Sequence, residues 1–241
     1  MTDADLVVVG CGPVGLMASV RAAQHGLSVI ALDRLSDVYP LPRAIGMDDE
    51  IQRLFATAGM LDGLRACSTP MPGAEFCDRD GNRVIGYDIP EGHRTANGHH
   101  PVVAFDQPSL EHLLRDRARA VGVDLRLGVE VERVHDTTVR TSSGPVVGRW
   151  VLGADGASSR VRRGLGVALE DQGFDEDWVV VDTTLLDLDL PLPRNCVQFC
   201  DPARVVTFVP GHGTRRRWEF QLRPGEAVSY THLTLPTICS V

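Results

Sequence analysis

Three glycines and an aspartate within the first 33 residues are spaced to hold a diphosphate. The β-branched run Asp5-Leu6-Val7-Val8-Val9 enters Gly10-Cys11-Gly12-Pro13-Val14-Gly15, and apolar Leu16, Met17, Val20 and Ala23 then recur at helical spacing. In such a turn Gly10 permits the tight bend, Gly12 lets the backbone approach a pyrophosphate, and Gly15 lets the helix pack against the strand. The helix N-terminus that follows Gly12 offers free N–H groups and partial positive charge to phosphate oxygens. Asp33 closes a second apolar run, Val29-Ile30-Ala31-Leu32, where its carboxylate can accept hydrogen bonds from the ribose hydroxyls of an adenosine. Strand, glycine turn, helix, strand and acid in that order form a βαβ unit with the dinucleotide fingerprint.

Cationic residues stand close by in sequence. Arg34 follows the acid directly, and Arg43 lies in Tyr39-Pro40-Leu41-Pro42-Arg43-Ala44-Ile45-Gly46, a loop that two prolines hold extended. An arginine beside a pyrophosphate turn neutralises charge and donates several hydrogen bonds, which makes Arg43 the candidate phosphate partner. A second strand-to-turn motif follows Val146–Leu152: Gly153-Ala154-Asp155-Gly156-Ala157-Ser158-Ser159-Arg160-Val161-Arg162-Arg163. It is an acid–glycine turn that opens a helix and suits a polar ligand; Arg162, four residues after Ser158, is the basic side chain singled out there.

Other reactive residue types have plainer readings. Asp48-Asp49-Glu50 is the acid-rich first turn of a helix, favoured by its dipole, rather than a metal or catalytic cluster. His93, His99 and His100 fall in a Gly/Asn/Pro loop without carboxylate or thiol at ligand spacing. Cys196 and Cys200 sit four apart on a strand, too far for one ion. No metal is expected. The six cysteines show no paired framework and are expected to stay reduced.

The formal net charge of −8 and pI near 5.4 argue against nucleic acid or an acidic membrane surface as the main partner. No apolar run reaches the roughly 20 residues that span a bilayer. Asp3 and Asp5 lead straight into a strand, so the N-terminus does not read as a leader, and a cytoplasmic protein is expected.

The elements that position these residues are a βαβ start and a helix over Ile51, Leu54 and Phe55. A hairpin around Asp80-Gly81-Asn82 follows, then a helix that starts in Phe105-Asp106-Gln107-Pro108-Ser109-Leu110-Glu111, with its stripe Leu110, Leu113, Leu114 and Ala118. Four strand-like runs lead to the acid–glycine turn. From Ala168 the pattern becomes β-rich, with strands around 178–183, 196–199, 205–209 and 217–222, and with the basic run Arg215-Arg216-Arg217. Strand alternation would send at most two of those three side chains to one face.

Taken together, the fingerprint with Asp33-Arg34, the Asp155-Gly156 motif, and the loops Pro42-Arg43-Ala44-Ile45-Gly46 and Asp106-Gln107-Pro108 resemble the single-component FAD-dependent aromatic hydroxylases. These have the fold of para-hydroxybenzoate hydroxylase. Within that family, Pro42 to Glu50, Trp178-Val179-Val180-Val181-Asp182, Cys200-Asp201-Pro202-Ala203-Arg204 and Arg217-Trp218-Glu219-Phe220 look like the 3-(3-hydroxyphenyl)propionate hydroxylases.

The resemblance implies an α/β fold: a Rossmann-like FAD-binding domain of residues 1–70 and 104–167, interleaved with a partial β-rich substrate domain of 71–103 and 168–227. It implies FAD as cofactor, NADH or NADPH as co-substrate, and O₂-dependent hydroxylation of a small phenolic substrate. By position, Gly10, Gly12, Pro13, Val14 and Gly15 hold the pyrophosphate and Asp33 with Arg34 the adenosine end. Arg43, Ala44 and Gln107 contact the cofactor, Val131 flanks the adenine, and Asp155 with Gly156 supports the ribityl–phosphate region. The family's second flavin motif, Gly-Asp-Ala, does not occur downstream of Glu219, so the fold is incomplete at its C-terminus, and 228–241 reads as a non-native tail. Alternatives are a nucleotide-binding module without monooxygenase activity, or a flavin-dependent reductase of a larger substrate.

Overall fold

The run Ala4–Val9, which ends in the β-branched and buried Val7, Val8 and Val9, forms the first strand, β1. The glycine turn then starts α1 (Pro13–Gln24), with Pro13 in its first turn, where a missing N–H costs nothing. Gly26 ends it and β2 (Val29–Asp33) follows. The computed structural model describes residues 2–187 and 189–226. After β2 come β3 (Gly46–Asp48), α2 (Asp49–Thr57), α3 (Leu61–Ala66), β4 (Ser68–Pro70), β5 (Gly73–Cys77), β6 (Arg83–Asp88) and β7 (Val102–Phe105). Then follow α4 (Gln107–Ala120), β8 (Asp124–Leu127), β9 (Val131–His135), β10 (Thr138–Thr141), β11 (Gly144–Gly153) and α5 (Arg160–Gly164). The described chain closes with β12 (Trp178–Thr184), β13 (Cys196–Asp201), β14 (Arg204–Pro210) and β15 (Arg215–Gln221). The tail at 228–241 lies outside the described residues.

Two compact units emerge, one of residues 1–67 with 105–170, the other of residues 68–104 with those from 171 onward. In the first, six strands run in the order β8-β2-β1-β11-β10-β9. β8, β2, β1 and β11 are parallel neighbours, whereas β11, β10 and β9 form an antiparallel meander. β11 serves both: residues 144–147 pair with β10, and 148–153 with β1. The strand order therefore reverses at β1, with β2 on one side and β11 on the other, and such a switch point leaves a crevice beyond the strands' carboxyl ends.

The unit's core follows from alternation. Val7, Val9, Ile30 and Leu32 bury against Val139, Val146 and Val161. The intervening Val8 and Ala31 are fully buried on the side that α1 covers, with Leu16 and Val20. α4 adds Leu110, Leu114 and Ala118. The acids at 48–50 behave as a helix start: Asp48 caps α2 by accepting from the Ile51 N–H at 2.9 Å, and Asp49 and Glu50 occupy its first turn. Asp106 caps α4 in the same way, through the Ser109 N–H.

The second unit is a six-stranded sheet, β12-β15-β14-β13-β5-β6, antiparallel except where β13 runs parallel to β5. The hairpin of β5 and β6 turns at Asp78–Asn82, where Asp78 accepts from the N–H groups of Asp80 and Asn82. Val197, Phe208 and Phe220 are buried, and the Phe208 and Trp218 rings pack in a tilted pair, centroids 4.6 Å apart at 52° between planes. Of the run Arg215-Arg216-Arg217, Arg217 points inward and is 2% exposed. Its guanidinium donates to both Asp182 oxygens, at 2.8 and 3.0 Å.

Candidate dinucleotide site

Within the first unit, the carboxyl ends of β1, β2 and β11 open into a cavity of about 310 Å³. Backbone ties align its walls: the Gly10 N–H donates to the Leu32 carbonyl at 2.8 Å, and the Ala154 N–H to the Val9 carbonyl at 2.7 Å. Of the residues selected from the sequence, Gly10, Gly12, Asp33, Arg34, Arg43, Val131, Asp155 and Gly156 line this one cavity. Pro13, Val14, Gly15, Ala44 and Gln107 stand outside its lining.

The three fingerprint glycines meet different demands. Gly10 has φ +104°, and a Cβ there would lie 2.4 Å from the Ala154 carbonyl oxygen. A Cβ at Gly15 would lie 1.9 Å from the Gly10 carbonyl oxygen, so only glycine allows α1 to start so close to the turn. Gly12 is different. Its φ of −78° suits any residue, and a Cβ there would meet no protein atom within 4 Å. The protein's own packing gives no reason for glycine at 12; a ligand lying against the cavity wall does.

α1 begins at that wall with no side-chain cap and no acid in its first turn. Its positive end is thus left for an anion. Asp33 braces the turn: its Oδ2 accepts from the Cys11 N–H at 2.6 Å, and its Oδ1 from the Leu35 N–H at 2.9 Å. Burial, and secondarily the Asp33 charge, push the Cys11 thiol up to about 12, so it stays protonated and contributes no thiolate chemistry.

Asp155 organises the opposite wall. Its Oδ1 accepts from the Ser159 hydroxyl at 2.5 Å, and its Oδ2 from the N–H groups of Arg160 and Val161 at 2.6 and 3.2 Å. Burial works to raise its pKa, but the Ser159 hydroxyl and the Val161 and Arg160 amides outweigh it and hold the carboxyl below its usual value. These bonds nucleate α5, which is only five residues long.

α5 also corrects one expectation. Arg162 donates to the Ala157 carbonyl and is not part of the lining; Arg160 and Arg163 are. Both stand in the motif, and three-residue helical spacing places them on one side of α5; Ser158 also lines the cavity but lies ahead of the helix, so spacing from it does not fix the face. Glu130, ahead of β9, was not anticipated either; it pairs with Arg160 at 2.8 Å. In all, four guanidinium groups and three carboxylates line the cavity, and Asp33 and Asp155 are already engaged with backbone N–H groups. The balance suits an anionic ligand. Arg43 also stacks its guanidinium over the Tyr39 ring, 5.7 Å from its centroid.

Among the described residues no cluster of His, Cys, Asp and Glu is arranged to hold a metal, and no helix is long and apolar enough to cross a membrane.

A family model described as FAD binding domain matches residues 3–233. The chain is 32% identical over 235 residues to a 3-(3-hydroxy-phenyl)propionate/3-hydroxycinnamic acid hydroxylase of Comamonas testosteroni, covering 93% of this chain and 39% of that protein. It is 30% identical over 229 residues to a probable NADH-specific resorcinol 4-hydroxylase of Rhodococcus jostii (strain RHA1), covering 90% of this chain and 43% of the relative. The chain thus spans about two fifths of the length of these relatives. Among solved structures, p-nitrophenol 4-monooxygenase PnpA from Pseudomonas putida DLL-E4 superposes with a TM-score of 0.85 at 23% identity, covering 97% of this chain and 61% of that one. The switch-point sheet, the glycine turn and the family match agree: the chain belongs to the FAD-binding domain family and has the mixed α/β fold of the FAD-dependent aromatic monooxygenases.

Proposed function

We propose that the chain forms the cofactor-holding part of a single-component flavoprotein monooxygenase that uses FAD, NADH or NADPH, and O₂ to hydroxylate a phenolic substrate resembling 3-(3-hydroxyphenyl)propionate. The observation that carries this reading is Gly12: a glycine required by neither backbone nor packing, at the cavity wall beside an uncapped helix start. The substrate class rests on the hydroxylase names of the relatives.

When bound, FAD supplies the redox chemistry: a phenol, O₂, NAD(P)H and a proton give a catechol, NAD(P)⁺ and water. The chain's own residues bind and orient. Gly10, Gly12 and the first turn of α1, with Pro13, Val14 and Gly15, receive the diphosphate. Asp33 and Arg34 address the adenosine, with Val131 beside the adenine. Arg43 at one wall, and Arg160 and Arg163 at the other, balance the phosphate charge, and Asp155 and Gly156 shape the turn between.

The cavity is complete within residues 1–67 and 105–170. That favours a second, narrower reading for the chain as it stands: nucleotide binding without turnover. Purified chain titrated with FAD, then assayed for phenol-dependent NAD(P)H oxidation and hydroxylated product, separates the two. Binding without product supports the cofactor-holding role; product formation would assign the whole reaction to these 241 residues.

A further inference from the structure

α4 buries three polar side chains in one row. Gln107, Glu111 and Arg115, each four residues after the last, are 5%, 4% and 4% exposed and share the helix face that carries Leu110, Leu114 and Ala118. Buried polar groups are costly unless they find partners; Gln107 and the Arg115 Nη2 find theirs in the loop between β2 and β3, whereas the Arg115 Nε makes no hydrogen bond among the described residues. The Gln107 Oε1 accepts from the N–H groups of Arg43 and Ala44, at 2.7 and 2.8 Å. Arg115 donates from Nη2 to the Asp37 carbonyl at 3.1 Å, and its Nη1 lies 3.8 Å from the Asp37 carboxylate.

Residues 35–44 of this loop contain no helix or strand and no buried side chain, and its large apolar groups Tyr39 and Leu41 are 44% and 59% exposed. Glu111 sits beneath Gln107 and accepts from its Nε2 at 2.7 Å. The Glu111 oxygen takes the amide nitrogen and so leaves the amide oxygen facing the two backbone N–H groups.

We infer that Glu111 is a positioning residue for the dinucleotide cavity. It fixes the Gln107 amide, which staples the loop so that Arg43 stands at the cavity wall; Arg115 tethers the loop's other end. Gln107 itself stands outside the cavity lining, and acts on it through the loop that it holds. The inference rests on reading the cavity as the FAD site.

The test uses the 1–241 chain with Glu111→Gln, Glu111→Leu and Gln107→Leu, and Leu114→Ala as a control for general core loss. It measures hydrogen exchange at the Arg43 and Ala44 amides together with FAD affinity. Glu111→Leu should speed exchange at those two amides and weaken FAD binding, each about tenfold, the worth of one orienting hydrogen bond. Glu111→Gln keeps an acceptor and should restore both. Leu114→Ala should lower the melting temperature without singling out the two amides. Should Glu111→Leu fail to fold, Gln107→Leu removes the staple directly and gives the same two readings. Unchanged exchange in the leucine variants, or Glu111→Gln behaving as Glu111→Leu, overturns the inference. If the wild-type chain does not bind FAD, the cavity reading fails, and with it the cofactor role of Glu111; amide exchange alone would then report only a loop contact.

Discussion

A Cβ added at Gly15 would collide with a backbone carbonyl, whereas one added at Gly12 would enter open space. The two glycines therefore separate stability from ligand binding. Gly15→Ala should destabilise the apoprotein by about 1–3 kcal/mol, as overpacking does, and thermal unfolding would measure it. Gly12→Val should leave the melting temperature of the apoprotein nearly unchanged but weaken FAD binding by about tenfold or more, since the isopropyl group takes the ligand's space. Much at this scale was legible because glycine spacing is a backbone requirement and backbone requirements are local. What escaped was the direction of side chains on a short helix. Arg160, Arg162 and Arg163 are neighbours in the sequence, and only the point where Asp155 and Ser159 start α5 decides which of them reach the cavity.

Elements carry the next set of consequences. α5 is held by a carboxylate whose pKa lies below its ordinary 3.8. A depressed pKa means that this stabilisation is fully present above the ordinary value and is lost as pH falls through the lower folded-state value. The start of α5 should thus be insensitive between neutral pH and pH ~5 and loosen in stronger acid. Amide exchange at Arg160 and Val161 against pH would follow it, and Asp155→Asn should abolish the acid limb. In the β-rich unit, Arg217 and Asp182 form a nearly buried ion pair. Asp182→Ala removes the two-point partner of the buried Arg217 guanidinium, leaving the Glu219 carboxylate 3.8 Å away, and should cost up to roughly 3–5 kcal/mol, whereas Arg217→Met with Asp182→Leu should recover most of it; denaturant melts of the three proteins decide this. Strand alternation forecast that the 215–217 run would split between faces. It did not identify Arg217 as buried, because its partner lies 35 residues away on β12, and pairing at that distance is a matter of sheet topology rather than of local pattern.

On the scale of the whole molecule, the sheet that reverses strand order at β1 brings the carboxyl ends of β1, β2 and β11 around one cavity, although residues 10, 33 and 155 are far apart in sequence. The chain nonetheless spans about two fifths of the length of its hydroxylase relatives. Holding the cofactor and completing the reaction are therefore tested apart. The measurement closest to the first is a titration of the purified chain with FAD, followed by flavin fluorescence or calorimetry, alongside Gly12→Val. We expect saturable binding of one FAD per chain that is strongly weakened in Gly12→Val while both apoproteins melt at the same temperature. Absence of binding by the wild-type chain, or equal binding by Gly12→Val, would contradict the assignment of the cavity.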